Sequence, residues 1–389
     1  MLRADGTVLT FGTNGAGQLG FANNVMPNPV PAPVMSGAVS VAAGDAHTVV
    51  LKADGTLWTF GANDLGQLGD PTTCCNFDPH PVPTQVLAGA RSVAAGATHT
   101  VVVKSDGTVW TWGSGFFGEL GRLVPFTPGG PDANPVPTQV MTGAVAAAAG
   151  RNFTVVLKAD GTVWTFGFNS TGQLGRQTNG VSEQSVPTQV LSGVSAVAAG
   201  GSHTLALKVD GTVWTFGNNL DGQLGTAINV GISAPNVPTH VMSGAAAVSA
   251  GEYDTVVVKA DGTVFTFGRN DFGQLGTPNV GHQPNPVPTQ VASGAVAAAA
   301  GISHTLVLKA DGTVLGFGHA GFGELAGSID PPFDPAPRLT LAGAMIPGTV
   351  CQSKQDDHGG DKHKGRGKNH HERRDKHNRH DDDQCEGSD

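Results

Sequence analysis

The chain has 389 residues with Gly 57 and Pro 25, and Lys+Arg 22 against Asp+Glu 31 give a net charge of −9. That much glycine and proline suits many turns rather than long helices. No apolar run approaches the roughly 18–20 residues that a membrane span requires. Residues 1–350, with 13 basic and 21 acidic side chains, lack the cationic excess on which nonspecific nucleic-acid binding rests.

Met1 opens inside a repeated unit. Leu2-Arg3-Ala4-Asp5-Gly6 carries the first of seven Asp-Gly pairs, at Asp5, Asp54, Asp106, Asp160, Asp210, Asp261 and Asp311. Their steps are 49, 52, 54, 50, 51 and 50 residues, a period that marks a propeller or a solenoid.

One unit shows why. Val186-Pro187-Thr188-Gln189-Val190 reads as an extended piece, and Val194–Ala199, small residues only, as a second. Two alternating runs follow, joined at Asp210-Gly211, the signature of a hairpin with a two-residue type I′ turn. In that register Leu207 opposes Trp214 and Leu205 opposes Phe216, so one face is bulky and the other small. Four strands make a propeller blade. The Ala-rich strand belongs nearest the axis, where space is least. The Pro-bearing strand belongs at the outer edge, where a missing N–H is tolerated. The residue two before each Asp is basic, from Arg3 and Lys52 to Lys309, and is expected to be structural.

The chain ends complement each other. Pro337-Arg338-Leu339 matches the outer strand and Ala344–Val350 the inner one, while Met1 enters a unit that lacks both an inner strand and most of its second. The expectation is an all-β, seven-bladed β-propeller of four-stranded blades over residues 1–350, its ring closed by N- and C-terminal halves of one blade. Pro347 interrupts the closing strand and the first hairpin strand is short. The original start is therefore expected upstream of Met1, together with any export signal.

Two phrases recur in phase. Ala-Gly-x-x-His-Thr appears with His47, His99, His203 and His304, and changes at Phe153 and Asp254. Phe-Gly-x-Asn-x-x-Gly-Gln-Leu-Gly appears at 11–20, 60–69, 166–175, 216–225 and 267–276, and changes to Glu119-Leu120-Gly121 and Glu324-Leu325-Ala326. These phrases resemble the regulator of chromosome condensation repeat family, over about residues 1–350. The Val-Pro-Thr-Gln-Val element is similar to its bacterial branch. The resemblance implies a seven-bladed propeller. It also implies three activities to weigh: nucleotide exchange on a small nuclear GTPase with chromatin contact, UV-B photoreception, and β-lactamase inhibition. The acidic body has no basic arm for chromatin. The photoreceptor's Trp positions are Asp45, Ala97, Arg151, Gly201, Glu252 and Ile302 here. An inhibitor-like mode, through ring-face loops with exposed aromatics, is compatible.

Candidate partner-binding residues are those where copies stop agreeing: Asp45, Arg151, Asn152, Glu252, Tyr253 and Asp254, with Phe116 and Phe117, which enter a loop that has lost its Asn. Tyr and Arg are common anchors at interfaces. The repeated His, being equivalent and mutually distant, read as structural rather than metal ligands, with each imidazole hydrogen-bonded to a neighbouring loop. The Gly-rich loop lacks the Lys-Ser/Thr of a phosphate cradle. No unique catalytic set is visible, so the expected function is a non-enzymatic protein-binding propeller with no cofactor, a monomer, exported or at the cell surface. The alternatives are a regulator of a partner enzyme, by inhibition or nucleotide exchange, and a glycan-binding lectin.

Residues 351–389 are a different material, with 25 of 39 charged or His, and are expected to be disordered. His358, His363, His370, His371, His377 and His380 could hold divalent metal weakly. Cys74 and Cys75 lie in an enlarged loop and Cys351 and Cys385 bracket the tail; adjacent cysteines are not expected to pair with each other.

Overall fold

The Asp-Gly turn sets the register of each unit, and not as a type I′ turn. In the computed structural model Gly211 N–H donates to Lys208 O at 3.0 Å and Lys208 N–H to Thr212 O at 2.9 Å. The loop therefore holds three residues, Val209-Asp210-Gly211, of which only Gly211 has a positive φ, +78°. This is a type I turn closed by a left-handed glycine. Hairpin partners run Leu207–Val213, Ala206–Trp214, Leu205–Thr215 and Thr204–Phe216. A one-residue change of register moves a whole strand's side chains to the opposite face. Trp214 and Phe216 thus share a face with Ala206 and Thr204, not with Leu205 and Leu207. The expected division into a bulky and a small face is corrected: one face is aliphatic, the other carries the aromatics among small residues.

The turn is knitted by its own side chains. Asp210 Oδ1 accepts from Thr212 N–H at 3.0 Å and Thr212 Oγ1 at 2.6 Å, and Trp214 Nε1 donates to Thr212 Oγ1 at 3.0 Å. Lys208 Nζ lies 4.2 Å from the Trp214 ring centroid. The basic position therefore covers an aromatic ring of its own blade.

The structure describes residues 1–22, 28–124, 133–178, 182–228, 237–321, 325 and 333–341. Within them β1 (Val8–Gly12) and β2 (Asn28–Met35) form a two-stranded sheet, and six four-stranded antiparallel sheets follow. Their spans are 38–87 (blade I), 90–141 (II), 144–191 (III), 194–242 (IV), 245–292 (V) and 295–341 (VI). Strands lie in sequence order from inner to outer, and the inner strands of successive blades are neighbours. The fold is an all-β propeller of four-stranded blades. On the edge of β1 away from β2, Leu2 is bridged to Val8 and Met1 is hydrogen-bonded to Leu9. The inner strand expected at 344–350, and the tail at 351–389, lie outside the described residues.

Blades are joined by burying the two faces against each other. Phe153, Val155, Leu157 and Val163 of blade III pack on Ala206 and Trp214 of blade IV. Leu207 and Val213 of blade IV pack in turn on Val257 and Phe267 of blade V. The last Gly of each Gly-Gln-Leu-Gly phrase permits this approach: a Cβ on Gly175, whose φ is +69°, would lie 2.9 Å from the Phe216 ring.

Cys74 and Cys75 are disulfide-bonded to each other, against expectation. The backbone turns sharply there, with φ +73° at Cys75, the one positive φ outside glycine among the described residues. Cys351 and Cys385 lie outside those residues.

Candidate functional site

Antiparallel order within each blade gives the ring two unlike ends. The Asp-Gly turns gather at one. The Ala-Gly turns and the Gly-rich loops gather at the other. All eight candidates, Asp45, Phe116, Phe117, Arg151, Asn152, Glu252, Tyr253 and Asp254, belong to the second end.

At its centre the six Ala-Gly turns surround one axial mouth, lined in part by Asp45, Arg151, Glu252 and Ile302. A belt of backbone hydrogen bonds links consecutive turns. Asp45 N–H donates to Ala97 O and Ala97 N–H to Arg151 O, both at 3.3 Å; Arg151 N–H donates to Gly201 O and Gly201 N–H to Glu252 O, both at 3.2 Å. Across the belt Arg151 Nε meets Glu252 Oε1 at 2.9 Å. Burial pushes the Glu252 carboxyl above its ordinary pKa; Arg151 opposes this and Asp45 adds to it.

The aromatic candidates lie further out. Phe116 is 55% exposed. Its ring meets Phe117 edge-on with centroids 4.8 Å apart, and Phe117 lies 4.7 Å from Phe168 of the next blade. Phe168 N–H donates to Asn152 O at 2.8 Å, which ties this cluster to the Arg151 turn. Elsewhere the loop Asn holds its loop shut: Asn219 Oδ1 accepts from Leu224 N–H at 3.0 Å and Nδ2 donates to Thr226 O at 3.0 Å. At the matching Gly115 a Cβ would instead meet Val124 at 2.7 Å and Asn134 at 3.1 Å. On the other side of the mouth the Arg269 guanidinium lies 5.0 Å from the Tyr253 ring centroid and pairs with Asp271, which also meets His282 Nδ1 at 2.9 Å.

Asp254 is the exception. It is fully buried, so its side chain is not available to a partner. It occupies the place of the repeated His, and burial raises its carboxyl well above the ordinary value. The His it replaces show what that place is for. His47 Nε2 lies 3.1 Å from Thr100 Oγ1, His99 Nε2 3.0 Å from Thr154 Oγ1, and His203 Nε2 3.0 Å from Thr255 Oγ1. Each Thr belongs to the next blade and spends its proton on a loop carbonyl; Thr100 Oγ1 donates to Gln67 O at 2.8 Å. The imidazole must therefore donate from Nε2. Burial lowers the pKa to about 4 for His47 and His203 and about 3 for His99. The expected partner, a loop, is corrected to a strand hydroxyl of the neighbouring blade. Sequence reasoning passed over these Thr residues, although every copy carries one immediately after the His position.

No group of three or more His, Cys, Asp or Glu able to hold a metal ion occurs among the described residues. Nor is any helix there long and apolar enough to cross a membrane.

The chain matches the family model described as the RCC1-like domain over residues 2–345. It is 32% identical over 173 residues to the human protein named regulator of chromosome condensation, a match covering 44% of this chain and 41% of that protein. It is 33% identical over 186 residues to the human E3 ubiquitin-protein ligase HERC2, covering 45% of this chain and 4% of the ligase. The chain thus spans well under half the length of these relatives. Among solved structures it resembles yeast RCC1 (Prp20) bound to Kap60, with TM-score 0.74 and 22% identity over 87% of this chain and 85% of that one. Human WBSCR16 aligns with TM-score 0.75 and 23% identity over 87% and 94% of the two chains. That family model spans the repeated units, with their Asp-Gly turns, Gly-rich loops and the His-to-Thr bonds made by His47, His99 and His203, and the chain belongs to the RCC1-like domain family.

Proposed function

We propose that the chain is a non-enzymatic protein-binding propeller that docks its partner on the end carrying the Ala-Gly turns. One observation carries the reading: seven side chains chosen from sequence alone because copies diverge there, Asp45, Phe116, Phe117, Arg151, Asn152, Glu252 and Tyr253, belong to one end of the ring. The opposite end is repetitive and self-neutralised, with a Lys or Arg two residues before every Asp. Beyond those paired turns the body keeps an excess of acid, which suits a protein partner better than nucleic acid. Seven blades, the last completed by residues 344–350, complete this reading of the scaffold, and the ring acts as a monomer outside the cell or at its surface.

A photo-crosslinking residue at Phe116 or Tyr253, set against one at Thr212 on the opposite end, tests this. Adducts with one protein from the first pair alone are expected. Equal labelling from Thr212 overturns the reading. Regulation of a partner enzyme is the second reading, favoured by the match to the human regulator of chromosome condensation. It adds the expectation that the cross-linked protein is an enzyme whose rate changes on binding.

A further inference from the structure

Asp254 places a carboxyl at the interface of blades V and VI that no other side chain answers. Three observations describe its surroundings.

The first is the carboxyl itself. Asp254 is fully buried, and neither of its oxygens is hydrogen-bonded. Buried polar atoms without partners are rare in folded proteins, and a buried charge without a partner is costlier still. No charged side chain offsets the burial.

The second is a difference in length. In the blades that keep the His, the ring spans the interface. A Cβ on Gly200 would strike both the His203 ring and Gly251 O, and the far end of that ring, Nε2, lies 3.0 Å from Thr255 Oγ1. A Cβ on Gly251 would likewise strike Asp254 Oδ1 and Gly301 O. The carboxyl thus stands beside the carbonyl of the next turn, as the near side of the ring does. It is shorter than the ring and makes no bond to Thr305, the Thr of the next blade.

The third is that the surrounding oxygens all accept. Thr305, itself buried, directs its proton to Gln274 O at 2.9 Å. Gly301 O takes the Glu252 N–H at 3.2 Å and keeps a second lone pair. Two neutral acceptors and a carboxyl share one place, and no donor among the described residues reaches the carboxyl. A water could give protons to two of these groups but would leave the charge standing. A cation answers all three.

We propose that Asp254, Thr305 Oγ1 and Gly301 O hold a single alkali cation, of about the size of sodium, between blades V and VI. Hard cations take oxygen ligands, and divalent ones gather several carboxylates or keep a shell of water. One carboxylate among neutral oxygens balances a single positive charge. The ion does at this interface what the imidazole does at others, joining a strand to a hydroxyl of the next blade. The site is buried and needs no partner protein, so its failure would leave the docking reading untouched.

Thermal unfolding of the full chain at pH 7, with choline chloride exchanged for sodium chloride at constant ionic strength, is the test. The midpoint is expected to rise saturably, by about 2–4 °C, as sodium increases. Asp254→Asn keeps the shape without the charge and is expected to abolish the rise. Asp254→His restores the ring of the other blades and is expected to abolish it too, so its gain over the parent chain is largest in choline. Glu183→Gln, which removes an exposed carboxylate of an outer strand, is expected to keep the rise. Should Asp254→Asn fold poorly, sodium NMR relaxation of the unmodified chain and of Asp254→His decides: broadening by one saturable site belongs to the unmodified chain alone. A midpoint indifferent to sodium, which would leave the place to water or a proton, overturns the proposal. So does a rise that survives in Asp254→Asn, or equal broadening in Asp254→His.

Discussion

Arg151 and Glu252 meet across the axial mouth because the residue between them on the belt is Gly201. A Cβ there would lie 2.5 Å from the Glu252 carboxyl carbon. Gly201→Ala is therefore expected to part the pair. The Arg151 side chain is 46% exposed, so stability should change by less than about 1 kcal/mol. A double-mutant cycle of Arg151→Ala and Glu252→Gln checks this: its coupling should vanish once Gly201 is replaced.

Three buried imidazoles make the propeller acid-sensitive. His47, His99 and His203 have folded pKa values of about 4, 3 and 4, below the ordinary 6.5. Between those values and 6.5 the unfolded chain binds more protons, so stability is full above pH 6.5 and falls as pH drops toward 4. Urea titrations at pH 7, 6, 5 and 4 are expected to show a steady loss. His99→Phe, which copies what blade III carries at Phe153, should flatten the slope by about a third.

Asp254 is a buried carboxyl in an imidazole's place, with neither oxygen hydrogen-bonded. Its folded pKa is raised, so its burden on stability is absent at low pH and grows as pH rises through the carboxylate range. Thr305 Oγ1 donates to Gln274 O at 2.9 Å and can accept a proton in return. Asp254→His is expected to stabilise the chain at pH 7 by about 1–3 kcal/mol, the worth of satisfying a buried polar site. Denaturant midpoints of the two proteins at pH 7 decide it.

Thr100 of blade II makes two bonds to blade I, accepting from His47 and donating to Gln67 O. Thr100→Val keeps the shape and strands the buried His47 Nε2–H, while Gln67 O keeps the Trp112 Nε1 donor at 3.0 Å, at a cost of about 1–3 kcal/mol. Thr188, at the outer edge, bonds only its own strand at Val186 O; Thr188→Val should cost under about 0.5 kcal/mol. Thermal midpoints of the pair give the comparison.

Phe116 and Phe117 should separate binding from folding. Phe116→Ala removes a ring that is 55% exposed and should leave the thermal midpoint within a degree or two. Phe117 lies between Phe116 and Phe168, and its replacement by Ala is expected to cost about 1–3 kcal/mol. Partner binding, measured by calorimetry on the cross-linked protein once purified, should fall in both.

The repeat by itself determined a great deal. A period near 50, four strand-like pieces and the placing of small and Pro-bearing strands at inner and outer positions were all legible, because strand alternation and glycine and proline chemistry act locally. The turn type was not. Asp-Gly is compatible with a two-residue and a three-residue loop, and only the placing of Lys208 against Thr212 chose between them. That choice of register put Trp214 on the same face as Ala206. Bonds between units were equally hidden. Thr100 lies 53 residues from His47, and nothing in either residue's neighbourhood announces the other. The Arg151–Glu252 pair, the belt around the mouth and the burial of Asp254 are likewise products of closing blades around an axis. Local sequence sets what each unit can form; which side chains meet is decided only when units curve into contact, because those distances depend on the packing of every blade between them.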